Sequence, residues 1–93
     1  MVQRDMISES RLSGIIGDDK ELRDVSDQLI EHASANYTVK AYWITHVTGL
    51  SAQSIAALRD EGAIKCRNMG TKVEPRWRYD IVSFMAWYKA RSC

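Results

Sequence analysis

The basic side chains that follow Gly62 have the clearest chemical meaning in this sequence. Lysine and arginine neutralise the phosphates of a nucleic-acid backbone. Alternate residues of a β-strand point to the same face. Arg76 and Arg78 are therefore expected on one face of a strand, with Trp77 and Tyr79 on the opposite, core-facing side. We predict a phosphate-binding segment whose basic residues are Lys65, Arg67, Lys72, Arg76 and Arg78.

Charge is divided unevenly along the 93-residue chain. Residues 1–36 carry four basic and eight acidic side chains, a net charge of −4, whereas residues 37–93 carry nine basic and four acidic ones, a net charge of +5. This asymmetry favours a polyanionic partner for the second part. A chance distribution of solvated charges remains the alternative. We predict an acidic N-terminal extension over residues 1–36 and a nucleic-acid-binding domain over residues 37–93.

Residues that would carry other kinds of chemistry are sparse. The two histidines, His32 and His46, lie beside no nucleophile motif, and Cys66 and Cys93 show no paired spacing of metal ligands. We therefore expect no enzyme, no cofactor and no metal. No apolar run approaches the roughly 20 residues of a membrane-spanning helix, and the first residues do not resemble a secretory signal. These features predict no membrane partner and a cytoplasmic, nucleoid-associated location.

Two helices joined by a glycine turn are predicted to precede the basic segment. Thr38 is a suitable cap for a first helix that runs to Thr48, and Gly49 accepts the positive φ of a tight turn. Ser51 then caps a second helix that ends before Gly62. This order is typical of a helix-turn-helix. The candidate DNA-binding residues of the second helix, residues 51–60, are Ser51, Gln53, Ser54 and Arg59.

The remaining elements are predicted from periodicity. Residues 64–68 and 76–79 alternate between apolar and polar and indicate a β-hairpin over residues 64–79, with Lys72 at its tip. Asp80 caps a final helix that carries Ile81, Phe84, Met85 and Tyr88 on one stripe. Near the N-terminus, Asp18 or Asp19 caps an amphipathic helix over about residues 19–34, and a short helix over residues 5–13 is weakly indicated. The fold class is α+β, mostly α.

Three segments resemble the excisionase/MerR-type winged helix-turn-helix family: T-G-L-S at Thr48–Ser51, SAQSIAALRDEG at Ser51–Gly62, and R-W-R-Y-D-I at Arg76–Ile81. The resemblance covers about residues 37–88. It implies a small phage or bacterial DNA-binding protein: a recombination directionality factor, a transcriptional regulator or a DNA-packaging subunit. The chain departs from the family at the outward positions of the second helix. Basic or aromatic residues often occupy several of these positions in the family, whereas this chain has Ala52, Gln53, Ser54, Ala56 and Ala57.

The sequence thus predicts a double-stranded DNA-binding protein with some sequence preference. Helix 51–60 is expected in the major groove, where Gln53 would contact adenine, and the hairpin on the backbone or in the minor groove. The apolar stripe of the N-terminal helix either packs on its own domain or contacts a second copy or a partner such as an integrase. The alternative function is a protein-protein interaction module, an adaptor or inhibitor, on the same scaffold without DNA binding.

Overall fold

The computed structural model describes residues 6–33 and 37–91 of the chain. Helices dominate, and the predicted α+β class with mostly helical content is confirmed. In chain order the elements are α1 (Met6–Ile16), α2 (Lys20–Glu31), β1 (Thr38–Lys40), α3 (Ala41–Thr48), α4 (Ala52–Asp60), β2 (Cys66–Asn68), β3 (Trp77–Asp80) and α5 (Ile81–Arg91). The three strands form one antiparallel sheet in the order β1-β3-β2.

Of the two caps predicted for the amphipathic helix α2, the structure uses Asp19. The Asp19 carboxylate accepts hydrogen bonds from the backbone N–H groups of Glu21 and Leu22 at 3.0 and 3.2 Å. These bonds satisfy two of the N–H groups that have no partner within a helix. The helix ends at Glu31, with His32 as its C-cap. The predicted extension to residue 34 falls partly outside the described residues.

Helix α1 is longer than predicted and continues through Gly14 to Ile16. Leu12 and Ile16, one turn apart on the same face, are both buried, and α1 packs on α5. Burial of this face compensates for the weak helix propensity of glycine. Gly17 ends the helix with a φ of +58°. The part of the predicted helix at residue 5 lies outside the described residues.

The apolar stripe of α2 is buried within the chain's own core. Its members Leu22, Val25, Leu29 and Ile30 are buried together with the polar Ser26, and α2 packs on both α3 and α5. At the C-cap of α2, the ring of His32 stacks on the ring of Trp43 in α3, with centroids 3.5 Å apart and planes nearly parallel. Any contact of α2 with a partner must therefore use its exposed, acidic side.

The prediction of Thr38 as a helix cap was wrong. Thr38–Lys40 forms strand β1, which pairs with β3 so that Val39 lies opposite Tyr79, and helix α3 begins only at Ala41. The strand forms because of a tertiary contact. The backbone of β1 is hydrogen-bonded to a strand some 40 residues later, and the Val39 side chain is fully buried. Local helical spacing carries no information about that pairing.

The turn between α3 and α4 has the predicted conformation. Gly49 caps α3 with a φ of +80° and donates its N–H to the Thr45 carbonyl oxygen at 2.9 Å. Thr48 strengthens the turn, because its hydroxyl donates to the Ile44 carbonyl oxygen at 2.6 Å and accepts from the Leu50 N–H at 3.3 Å. These bonds hold residues 48–50 against the C-terminal end of α3, from which the turn leads into α4.

The predicted hairpin and final helix are confirmed. β2 begins at Cys66 and not at residue 64, and β3 is shifted by one residue to Trp77–Asp80. β2 pairs with β3 so that Cys66 lies opposite Tyr79. The Asp80 carboxylate caps α5 by accepting from the Ser83 N–H at 3.2 Å. The face of α5 that contains Ile81, Phe84 and Met85 is fully buried. These side chains join Tyr79, Val39 and Ile55 in the core that supports both α4 and the sheet.

Candidate nucleic-acid interface

Helix α4 presents its first turn to solvent. Ser51, Ala52, Gln53 and Ser54 are all exposed, while Ile55 is fully buried and fixes the opposite side of the helix in the core. The first backbone N–H groups of a helix favour an anion because they have no partner within the helix. The described geometry thus gives α4 an accessible, anion-favouring end on a rigid base.

The two serines of this turn already have a structural role. The Ser51 hydroxyl accepts from the Ser54 N–H at 3.1 Å, and the two hydroxyl oxygens lie 2.9 Å apart. Gln53 differs, because the structure gives its amide no hydrogen-bond partner among the described residues. Gln53 is therefore the side chain of this turn with both a donor and an acceptor available to a base edge.

Arg59 is engaged within the protein and lies away from the exposed turn. Its guanidinium is 4.7 Å from the centroid of the Trp77 ring. It also donates to the Asp60 carboxylate at 3.2 Å and lies 3.5 Å from the Tyr79 hydroxyl. These contacts tie the end of α4 to β3 on the side of the sheet that faces the core. A cation held by a ring and a carboxylate contributes less to phosphate binding than an unpaired one.

The outer face of the sheet collects most of the cations. Arg78 lies opposite Lys40 on one side and opposite Arg67 on the other, so that one row across the three strands carries three positive charges. Lys65 lies beside this row, because its carbonyl oxygen accepts from the Asp80 N–H at 3.0 Å. We call the following set the cationic sheet face: Lys40, Lys65, Arg67, Arg76 and Arg78.

Two surface depressions join these cations into one patch. One is lined by Lys65, Arg67 and Arg78 together with Thr38, Cys66 and Asp80. The other is lined by Lys40, Arg76 and Arg78 together with Tyr42, Met69 and Trp77. Arg78 belongs to both. In the part of the chain that the structure describes, none of the five cations has a carboxylate within salt-bridge distance.

In the hairpin loop, residues 69–76, the side chains of Asn68 and Thr71 both accept hydrogen bonds from backbone N–H groups. The Asn68 amide oxygen accepts from the N–H groups of Gly70 and Arg76 at 2.9 and 3.0 Å, and its amide nitrogen donates to the Thr71 carbonyl oxygen at 3.3 Å. Lys72 is exposed within this loop, and its neighbour Val73 is 90% exposed. The loop is therefore a hydrogen-bonded projection that carries a cation.

The predicted site residues fall into separate places. Ser51, Gln53 and Ser54 share the first turn of α4, and Lys72 lies in the hairpin loop. Arg59 is on the core side of the sheet. The outer face brings together the other four: Lys65, Arg67, Arg76 and Arg78. The structure thus forms two surfaces, the α4 turn and the cationic sheet face, on opposite sides of β3.

Sequence reasoning missed two residues of the second surface. Lys40 was placed in a helix, although it lies on β1 opposite Arg78. Tyr42, at the start of α3, follows the helical spacing of an apolar face, although its side chain is 64% exposed and lines the same depression as Lys40. The run T-V-K does alternate between polar and apolar residues, as a strand does. Three residues are too few for this alternation to be recognised in the sequence.

A thiol and the potential metal ligands are the other groups of the described residues that could carry chemistry. Burial raises the pKa of the Cys66 thiol, which makes it a poor nucleophile at neutral pH. No group of three or more potential metal ligands occurs within residues 6–33 and 37–91. Nor does any helix described there have the length and apolar character needed to cross a membrane. Cys93 lies outside the described residues.

Comparisons with protein-family models, with curated proteins and with solved structures found no match to this chain.

Proposed function

We propose that this protein is a winged helix-turn-helix protein that binds duplex DNA, with α4 in the major groove and the β2–β3 hairpin as the wing. The observation that carries the proposal is the exposed first turn of α4. It follows a left-handed glycine turn, stands on a fully buried Ile55, and presents Gln53 to solvent. A major groove about 12 Å wide admits a helix presented in this way.

The residues of the α4 turn have distinct roles in this proposal. Gln53 makes the paired hydrogen bonds that adenine accepts and donates in the major groove. The small side chains of Ala52 and Ala57, both exposed, let the helix approach thymine methyl groups closely. The Ser51 hydroxyl caps the Ser54 N–H, which leaves the N–H groups of Ala52 and Gln53 for a phosphate. With Gln53 as the main base reader, sequence preference is modest.

The hairpin supplies the sequence-independent part of the affinity. Lys72, in the loop, contacts a phosphate of the duplex held by α4. The cations of the sheet face add a long-range attraction that weakens as salt shortens the Debye length, about 8 Å at physiological ionic strength. Together these groups give a binding constant that falls as a power of salt concentration. A recombination directionality factor or a small transcriptional regulator is the corresponding biological role.

The test is a salt titration of duplex binding, followed by fluorescence anisotropy, after selection of a preferred sequence. Gln53→Ala should remove the preference for adenine at one position, a loss of about 1–3 kcal/mol on the preferred sequence only. Lys72→Ala should weaken binding to all duplexes alike and reduce the salt slope by about 0.9. The double variant Arg76→Ala/Arg78→Ala, which removes only long-range attraction, should weaken binding to all duplexes alike and less than Lys72→Ala does. Absence of duplex binding at low salt would refute the proposal and favour a protein-interaction module.

A further inference from the structure

The binding of a duplex by α4 does not explain why the cationic sheet face carries so many positive charges side by side. Lys40, Arg78 and Arg67 lie directly across from one another on three neighbouring strands. Like charges opposite one another destabilise a sheet, and the only acid in the two depressions, Asp80, is bound to the N-terminus of α5. An anion on this face would relieve the repulsion.

This face is also separated from α4. Tyr79 and Arg78 are neighbours on β3 and point to opposite sides of the sheet. The Tyr79 hydroxyl contacts Arg59 of α4, so that α4 lies on the Tyr79 side. Arg78 and its row therefore point away from the helix, and a straight duplex seated on α4 does not cover them.

An exposed aromatic ring lies at the edge of the same patch. Tyr42 lines one depression with Lys40, Arg76 and Arg78 and exposes 64% of its surface. The Tyr42 ring packs edge-to-face against the Trp43 ring, with the two centroids 4.9 Å apart. A binding site for single-stranded nucleic acid has two parts: cations that contact the phosphate backbone, and an aromatic ring on which a base stacks. This patch contains both.

We propose that the cationic sheet face and Tyr42 together bind single-stranded nucleic acid. Phosphates lie along the row Lys40–Arg78–Arg67, which spans about 10 Å at the usual spacing of neighbouring strands, and an unpaired base stacks on Tyr42. A single strand suits this face better than a duplex, because duplex bases are already stacked on one another and offer no free face to the ring. Lys65, just before β2, and Arg76, just before β3, flank this row on its two sides and add positive charge beside it.

This site goes beyond the proposed duplex function and does not depend on α4. The two sites would suit DNA in which a duplex is flanked by an unpaired strand. Each site has its own variants: Gln53 for the α4 turn, and Lys40 and Tyr42 for the sheet face. Either proposal can therefore fail while the other stands.

The test measures binding of the full chain to a fluorescein-labelled oligothymidylate of about 12 nucleotides, within the usual range of single-strand site sizes. A duplex of the same length is measured in parallel. We expect Tyr42→Ala to weaken oligothymidylate binding about 5- to 150-fold, the range for loss of one stacked base, and Tyr42→Phe to keep most of it. Lys40→Gln should reduce the salt slope by about 0.7. Gln53→Ala, the matched control, should leave oligothymidylate binding unchanged.

Three results would overturn the proposal. The first is no binding of oligothymidylate at low salt by the wild-type chain. The second is an equal loss for Tyr42→Ala and Tyr42→Phe, which would exclude stacking. In the third, Lys40→Gln and Tyr42→Ala weaken only the duplex, which would make the sheet face a second duplex contact. Since Tyr42 and Lys40 are exposed, the variants should fold, and circular dichroism at matched temperature checks this.

Discussion

The hairpin loop should lose its order when Asn68 is replaced by alanine. The change removes the acceptor of the Gly70 and Arg76 N–H groups and the donor to the Thr71 carbonyl oxygen. Because the loop is exposed, water replaces part of each lost bond, and each is worth about 0.5–1 kcal/mol. The loss of three such bonds should therefore lower the free energy of local opening by about 1.5–3 kcal/mol, which makes opening about 10–150 times more frequent.

Native-state hydrogen exchange, followed by NMR, measures this opening residue by residue. The amides of Gly70 and Arg76 should exchange faster in Asn68→Ala by that factor, and the Met69 amide, which donates to the Arg76 carbonyl oxygen at 2.8 Å, should follow. Asn68→Asp is the matched control, because it keeps the acceptor oxygens and loses only the donor. Unchanged exchange at both Gly70 and Arg76 in the alanine variant would refute the role assigned to Asn68.

Three further predictions concern single residues. Gly70→Ala should destabilise the loop by about 1–3 kcal/mol, because its Cβ would meet the Glu74 carbonyl oxygen; hydrogen exchange measures this, with Gly14→Ala, which meets open space, as the control. Ser51→Ala should cost about 1 kcal/mol in urea unfolding, and no change would contradict its capping role. Burial raises the pKa of the Cys66 thiol. In a Cys93→Ser background, alkylation of Cys66 should therefore be slower in the folded chain than in urea, and it should accelerate only above the usual thiol pKa of about 8.5. Equal alkylation rates in the folded and the urea-unfolded chain would contradict this.

The sequence was most informative where local chemistry decides the structure. Asp19, Ser51 and Asp80 are short polar side chains that cap helices in the structure as predicted. Gly49 occupies the predicted left-handed turn. Each of these features depends on residues at most a few positions apart, so that a single sequence contains the whole of the relevant information.

Features that depend on distant partners were not predictable in this way. The strand at Thr38–Lys40 exists because β3 pairs with it, and its three residues are too few for a reliable alternation signal. The same pairing brings Lys40 beside Arg78 and so completes the cationic row. The separation of Arg59 from the other cations also depends on tertiary contact, since it is the Trp77 ring that holds its guanidinium on the core side.

The most direct test of duplex recognition by α4 is an NMR titration of the isotope-labelled chain with a short duplex. The account predicts that the largest amide shift changes fall on residues 51–55 and on the hairpin loop around Lys72, with smaller changes on α1 and α2. Changes confined to the N-terminal helices, or a spectrum that does not respond to duplex at low salt, would contradict it.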